Sequence, residues 1–127
     1  MNRTTDAATA FEPLRAAARS DLALAAVGQL LDAAQAIAEL PEGSREDGAL
    51  RRALTASDSL ETRLLLAQSL LLQGRWQDCM DLCLEIIGRD RKFREDAARK
   101  VMLAAFELCG DPPLVGTYRR RLSAGLY

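Results

Sequence analysis

LETRLLLAQSLLLQGRWQDCMDLCLEIIGRDR, residues 60–91, is the stretch on which the fold turns. Up to Gln73 it is apolar on nearly every side, with Leu64-Leu65-Leu66 and Leu70-Leu71-Leu72 a turn and a half apart. A helix of that kind needs covering on several faces. Ser57 or Asp58 is placed to cap its start, with Glu61 in the favourable first turn. Gly74 ends it, because glycine alone enters a left-handed turn at no steric cost. A second helix is expected from Arg75 to Gly88. The small side chains of Ala67 and Cys79 let the two helices approach closely, and Trp76 plugs the base of the hairpin. The unit is therefore a helical hairpin.

Worked outward, the same punctuation predicts seven helices of about 10 to 17 residues. Residues 1–10 read as a flexible tail, and residues 11–127 as one helical domain. A first helix runs from about Glu12 to Val27, with Pro13 in its first turn and Gly28 at its end. A second spans Leu30 to Leu40, its stripe made of Leu30, Ala33, Ala34, Ile37 and Leu40, and Pro41-Glu42-Gly43 stops it. Ser44 with Asp47 resembles a weakened capping box for a short helix from Arg45 to Ala56. After the central hairpin come helices from Phe93 to Cys109 and from Pro112 to Gly125, the last capped by Asp111. Short joints force antiparallel neighbours, so the expected fold is all-α, with hairpins stacked side by side. Composition agrees: 49% of the 127 residues are hydrophobic but only 5% aromatic, so the apolar content is mostly alanine and leucine. β-Branched residues never alternate as they would in a sheet.

Charge and chemistry narrow the function. A net charge of −1 argues against nucleic acid as a partner, although the balance is uneven. Residues 1–85 carry an acidic excess, and residues 86–127 a basic one that culminates in Arg119-Arg120-Arg121. There is no histidine, which removes the commonest general base and metal ligand. No phosphate-binding glycine motif occurs. The acidic pairs Glu46-Asp47 and Glu95-Asp96 splay around a helix instead of converging. Cys79 and Cys83, four apart on one helical face, are either packed thiols or a redox or soft-metal pair; two ligands alone make a poor zinc site. No cofactor and no enzymatic activity are expected. Three cysteines without a secretion signal fit a reducing cytoplasm. Polar interruptions in every apolar run argue against a membrane span. Leu122, Leu126 and Tyr127 form an apolar stripe beside the arginines, one that either folds onto the preceding helix or docks a partner.

Residue by residue, the stretch 60–91 resembles a tetratricopeptide repeat. Leu66-Ala67 stands in the slot where Leu-Gly is usual, Leu70 in an aromatic slot and Gly74 at the turn. Trp76 fills the aromatic slot after it, Cys79 the small-residue slot and Ile86 the late apolar slot, while Arg91 replaces the closing proline. The interval from Gly74 to Gly110 is near that family's repeat of about 34 residues. The resemblance implies that Leu66, Ala67 and Leu70 face the hairpin partner and that Leu64, Gln68 and Leu71 line a concave groove. That groove is either open or covered by the last helix or a second chain.

A narrower resemblance rests on the segments GRWQDC, IIGRDRKFREDAARK, FELCGDPPLV and YRRRLSAGLY, in that order, with AQAIAELPE upstream. Together they look like the helical end of the thioredoxin-fused bacterial co-chaperones of the chaperedoxin (YbbN) type. No thioredoxin fold or Cys-x-x-Cys precedes them here, so the chain is expected to be a stand-alone relative or the helical part of a longer protein. Mixed-disulfide functions do not carry over. The resemblance implies binding of a protein partner, either unfolded clients or the bacterial chaperonin. The matching C-terminal docking element comprises Tyr118, Arg119, Arg120, Arg121, Leu122, Leu126 and Tyr127. A homo-oligomeric scaffold, its groove filled by a second copy, is the alternative.

Overall fold

The computed structural model describes residues 3–124, with side chains from residue 21 onward. Among these residues there are six α-helices and no strand: α1 (Arg3–Ala38), α2 (Asp47–Ala56), α3 (Leu60–Leu72), α4 (Trp76–Arg89), α5 (Ala97–Leu108) and α6 (Pro112–Ala124). A short 3-10 turn, Glu42–Ser44, precedes α2. The all-α hairpin architecture is as the sequence implied, with six helices in place of seven.

The α3–α4 hairpin is built by its turn. Gly74 adopts φ 74°, its N–H donates to Leu71 O at 3.2 Å, and the Arg75 N–H donates to Leu70 O at 3.0 Å. This 6→1 and 5→2 pairing satisfies the last carbonyls of α3 and reverses the chain. A Cβ on Gly74 would meet the Trp76 ring at 3.5 Å, so the indole lies over the turn. Behind it, Leu66, Ala67 and Leu70 of α3 and Cys79, Met80, Cys83 and Ile86 of α4 are wholly buried. Both thiols are thus core side chains, and the thiol of Cys79 together with burial pushes Cys83 up from the ordinary cysteine range. The last helix, α6, starts as expected, Asp111 Oδ1 accepting from the Leu114 N–H at 3.3 Å, and packs mainly on α4. The helix α6 is pinned to α4 by Tyr118, whose hydroxyl donates to Asp81.

Three local expectations are corrected. The break at Gly28 is absent, and α1 passes through it unbroken. A mid-helix glycine costs about 1 kcal/mol, which the surrounding Ala and Leu and the packing of α1 outweigh. The cap of α3 is Ser59, whose Oγ accepts from the Thr62 N–H at 3.1 Å. Asp58 instead receives Arg63 and Arg89, and those two arginines hold its carboxyl below the usual aspartate range. Ser44 and Asp47 form no capping box: Asp47 accepts from Ser69 Oγ at 2.6 Å and from Gln73 Nε2 at 2.9 Å, tying α2 to α3. In addition, α5 begins four residues later than expected. Arg94, Glu95 and Asp96, at φ 49°, 58° and 63°, make a left-handed turn before it.

The largest departure is the course of α1. At 36 residues it is about 54 Å long, and it lies across both α3 and α5. Ala26 and Ala33 are buried at the contact, and Leu30, Ile37 and Leu40 are packed against the core. Alanine at the two tightest points lets the backbones come close. The 18 residues Asp21–Ala38 have a mean hydropathy of 1.2, long and apolar enough by length and composition to cross a bilayer. That corrects the expectation that no stretch would qualify, since Asp21 and Asp32 interrupt it less than supposed.

Candidate functional site

In stacked helical hairpins the first helices of successive pairs line the inner face. Here those helices are α3 and α5, and α1 lies over them. Leu64 is 5% exposed and Leu71 1%, so the apolar groove expected from the sequence is filled; α1 packs on α3 there, with Ala36 beside Leu64. Gln68 remains half-buried.

What survives of the inner face is a cleft along one flank of α1. Its first part is lined by Ala36 of α1, Glu61, Leu64, Leu65 and Gln68 of α3, and Arg94. It continues past Gln29, Asp32, Ala97, Lys100 and Val101. It ends in a mainly apolar recess of about 350 Å³ between Leu22, Ala25 and Gly28 on α1 and Lys100 and Leu103 on α5. The side chains of Gln29 and Gln68 make no hydrogen bond to the described residues, and Lys100 is in no ion pair with them. Arg94 is held by Glu61. Each free amide offers a donor and an acceptor, as a peptide backbone requires. The cleft is thus apolar at its end between Leu22 and Leu103 and polar along its middle, where Gln29, Gln68, Asp32 and Lys100 meet.

The predicted C-terminal element divides in two. Tyr118 and Leu122 are buried and hold α6 on the bundle. Burial, then the bond to Asp81, raises the Tyr118 phenol above its ordinary range. Arg119, Arg120 and Arg121 are exposed but point apart, as successive residues on a helix must. The Arg119 guanidinium stacks 5.0 Å over the Phe106 ring, Arg120 reaches Thr117 Oγ1 at 3.4 Å, and Arg121 lies 5.0 Å over the Tyr118 ring. Leu126 and Tyr127 lie outside the described residues. Arg99 and Lys100 of α5 add two exposed cations upstream of that helix. Among the described residues, no group of three or more His, Cys, Asp or Glu side chains is placed to hold a metal ion.

A family model described as "Tetratricopeptide repeat" matches residues 42–127, more than half of the chain. The chain belongs to the tetratricopeptide-repeat family. No curated protein and no solved structure matches it. Tetratricopeptide repeats generally mediate protein–protein interaction and are typically non-catalytic. The family match starts just after α1 ends at Ala38, so the helix over the repeat's inner face lies outside the matched region. Sequence reasoning missed this cleft because its α1 wall (Leu22, Ala25, Gln29) is off the stripe formed by Leu30, Ala33 and Ile37. The available signal was that Leu22, Ala25 and Gln29 themselves recur at helical spacing.

Proposed function

We propose that this tetratricopeptide protein is a non-enzymatic adaptor of the co-chaperone kind. It takes an extended stretch of an unfolded client, or of a protein partner, into the cleft beside α1. The apolar recess of the cleft, with the amides of Gln29 and Gln68 beside it, carries this reading. Side chains of the guest fill the recess at Leu22 and Leu103, while Gln29 and Gln68 hydrogen-bond its backbone. Lys100 and the exposed Arg119 and Arg120 favour acidic guests and speed their encounter. The resemblance to chaperedoxins supports a bacterial cytoplasmic setting and the chaperonin as one partner, with α6 and the residues through Leu126 and Tyr127 as the docking end.

The test uses the full chain and a reduced, permanently unfolded acidic protein. The parent should bind it and delay its aggregation. Gln68→Ala with Lys100→Glu should weaken binding about tenfold, and Arg119→Glu with Arg120→Glu should slow association and flatten its salt dependence. Unchanged binding in both double variants would reject the reading. A homo-oligomeric scaffold is the rival, favoured by the exposed leucines of α1. Light scattering separates the two, because the adaptor stays monomeric across a wide concentration range.

A further inference from the structure

The outward face of α1 is unlike the rest of the surface. Of the large hydrophobic side chains exposed among the described residues, Leu22, Leu24, Val27 and Leu31 all lie in ten residues of α1, and Leu72 is elsewhere. Leu24, Val27 and Leu31, at 68%, 47% and 66% exposure, follow a 3–4 spacing on the side of the helix turned away from α3 and α5. Ala34 and Ala38 continue the stripe, and their small side chains leave room for close approach.

One flank of that stripe is acidic. At about 100° per residue, Asp21, Asp32 and Glu39 fall on one ridge, about 60–80° around the helix from Leu24. From residue 20 to residue 44 there is no lysine or arginine at all. Asp21 and Asp32 are in no ion pair with the described residues, and Glu39 receives only the Gln35 amide, at 3.2 Å. The face therefore offers leucines beside carboxylates that make no ion pair with the described residues, Asp32 having Lys100 across the cleft.

We infer that this face docks a cationic amphipathic helix from a partner protein, its apolar stripe laid on Leu24, Val27 and Leu31 and its lysines or arginines set against Asp21, Asp32 and Glu39. Pairing the same face with a second copy brings no counter-charge, because no basic residue flanks the stripe. An antiparallel two-fold pair would bring the two acidic ridges to the same side of the seam. Anionic lipid headgroups meet the same repulsion. A basic helix removes it and buries the leucines in one step. The leucine stripe is turned away from the cleft, whereas Asp32 of the acidic ridge also lines it, so the serine variants of the stripe are the ones that test this face apart from the cleft.

The test titrates the full chain with three 18-residue peptides: one with leucines at 3–4 spacing flanked by lysines, its scrambled isomer, and its glutamate-for-lysine counterpart. Binding is read by calorimetry. The lysine peptide should bind, and the other two should bind at least tenfold more weakly. Leu24→Ser with Leu31→Ser should reduce affinity about tenfold, and Asp21→Asn with Glu39→Gln should reduce it severalfold while flattening its salt dependence. The substituted side chains are exposed, and an unchanged circular dichroism spectrum shows that the fold survives. Equal binding of all three peptides, or affinity indifferent to both double variants, overturns the proposal. So does a concentration-dependent dimer abolished by the serine variant, which assigns the face to a second copy. Co-sedimentation with neutral or anionic lipid vesicles that the serine variant loses, without peptide binding, assigns it to a bilayer and likewise overturns the proposal.

Discussion

Changing Ala33 to glutamate should lift α1 from the inner face while leaving the repeats folded. Ala33 is fully buried where α1 lies across α3 and α5. The apolar surface holding α1 in place is modest: the methyls of Ala26 and Ala33 plus half-buried Leu30, Ile37 and Leu40. At about 0.8 kcal/mol per buried methyl and about 1 kcal/mol for each half-buried side chain, the gross gain is about 4–5 kcal/mol. Ordering the side chains reduces that further. An uncompensated charge buried at Ala33 costs about 3–5 kcal/mol, enough to cancel the docking energy. Ala33→Glu should therefore accelerate amide exchange over residues 26–38 by about 100-fold or more, since each 1.4 kcal/mol of opening energy is about tenfold. Amides of α4 should keep their protection. Leu31→Glu, the same charge added to the exposed side, is the control and should change little. If the two variants exchange alike, or if Ala33→Glu unfolds the whole chain cooperatively, the picture of α1 as a separable cover is wrong.

Other perturbations test the supports. Gly74→Ala should lower stability by about 1–2 kcal/mol in urea denaturation, because φ 74° is strained for any residue with a Cβ. Asp47→Ala removes the acceptor of the buried Ser69 hydroxyl and of Gln73, and should cost about 1–2 kcal/mol by the same measurement. Thiol titration of the folded chain should show Cys109 reacting first, with Cys79 and Cys83 silent until denaturant is added. The raised Tyr118 pKa means the folded state holds its phenolic proton more tightly than the unfolded one. Its stabilising contribution is whole below the ordinary tyrosine value and is lost as pH rises through the folded value, and Tyr118→Phe should abolish that alkaline loss in pH-dependent melting.

Much of the fold could be read from local chemistry that leaves a mark on the sequence. Gly74 before Trp76, and Asp111 before Pro112, are turn and cap signals that act within a few residues, and both form as expected. The small-residue slots at Ala67 and Cys79 are also local, since they follow from helix–helix approach within one hairpin. The course of α1 was not legible because it is a tertiary decision. Gly28 reads as a stop by propensity alone, yet contacts with α3 and α5 hold the helix straight through it. The left-handed turn at Arg94, Glu95 and Asp96 was hidden for a similar reason: no glycine announces it, and helix-compatible residues fill it. Of the candidate site, Leu64 and Gln68 were legible as one stripe of α3, but the helix beside them, α1, is a tertiary neighbour that no local signal names. Ser59 and Asp58 show the finer limit, two adjacent capping residues distinguished by whether Arg63 and Arg89 claim the carboxylate.

The chain's own first helix occupies the inner face of its repeats. Methyl–methyl NOE spectroscopy on the dilute protein tests this directly. Cross-peaks are expected from Ala36 to Leu64 or Leu65, and from Leu22 or Ala25 to Leu103, pairs that line common cavities here. Spectra lacking both sets while the α3–α4 core contacts persist would contradict that placement of α1.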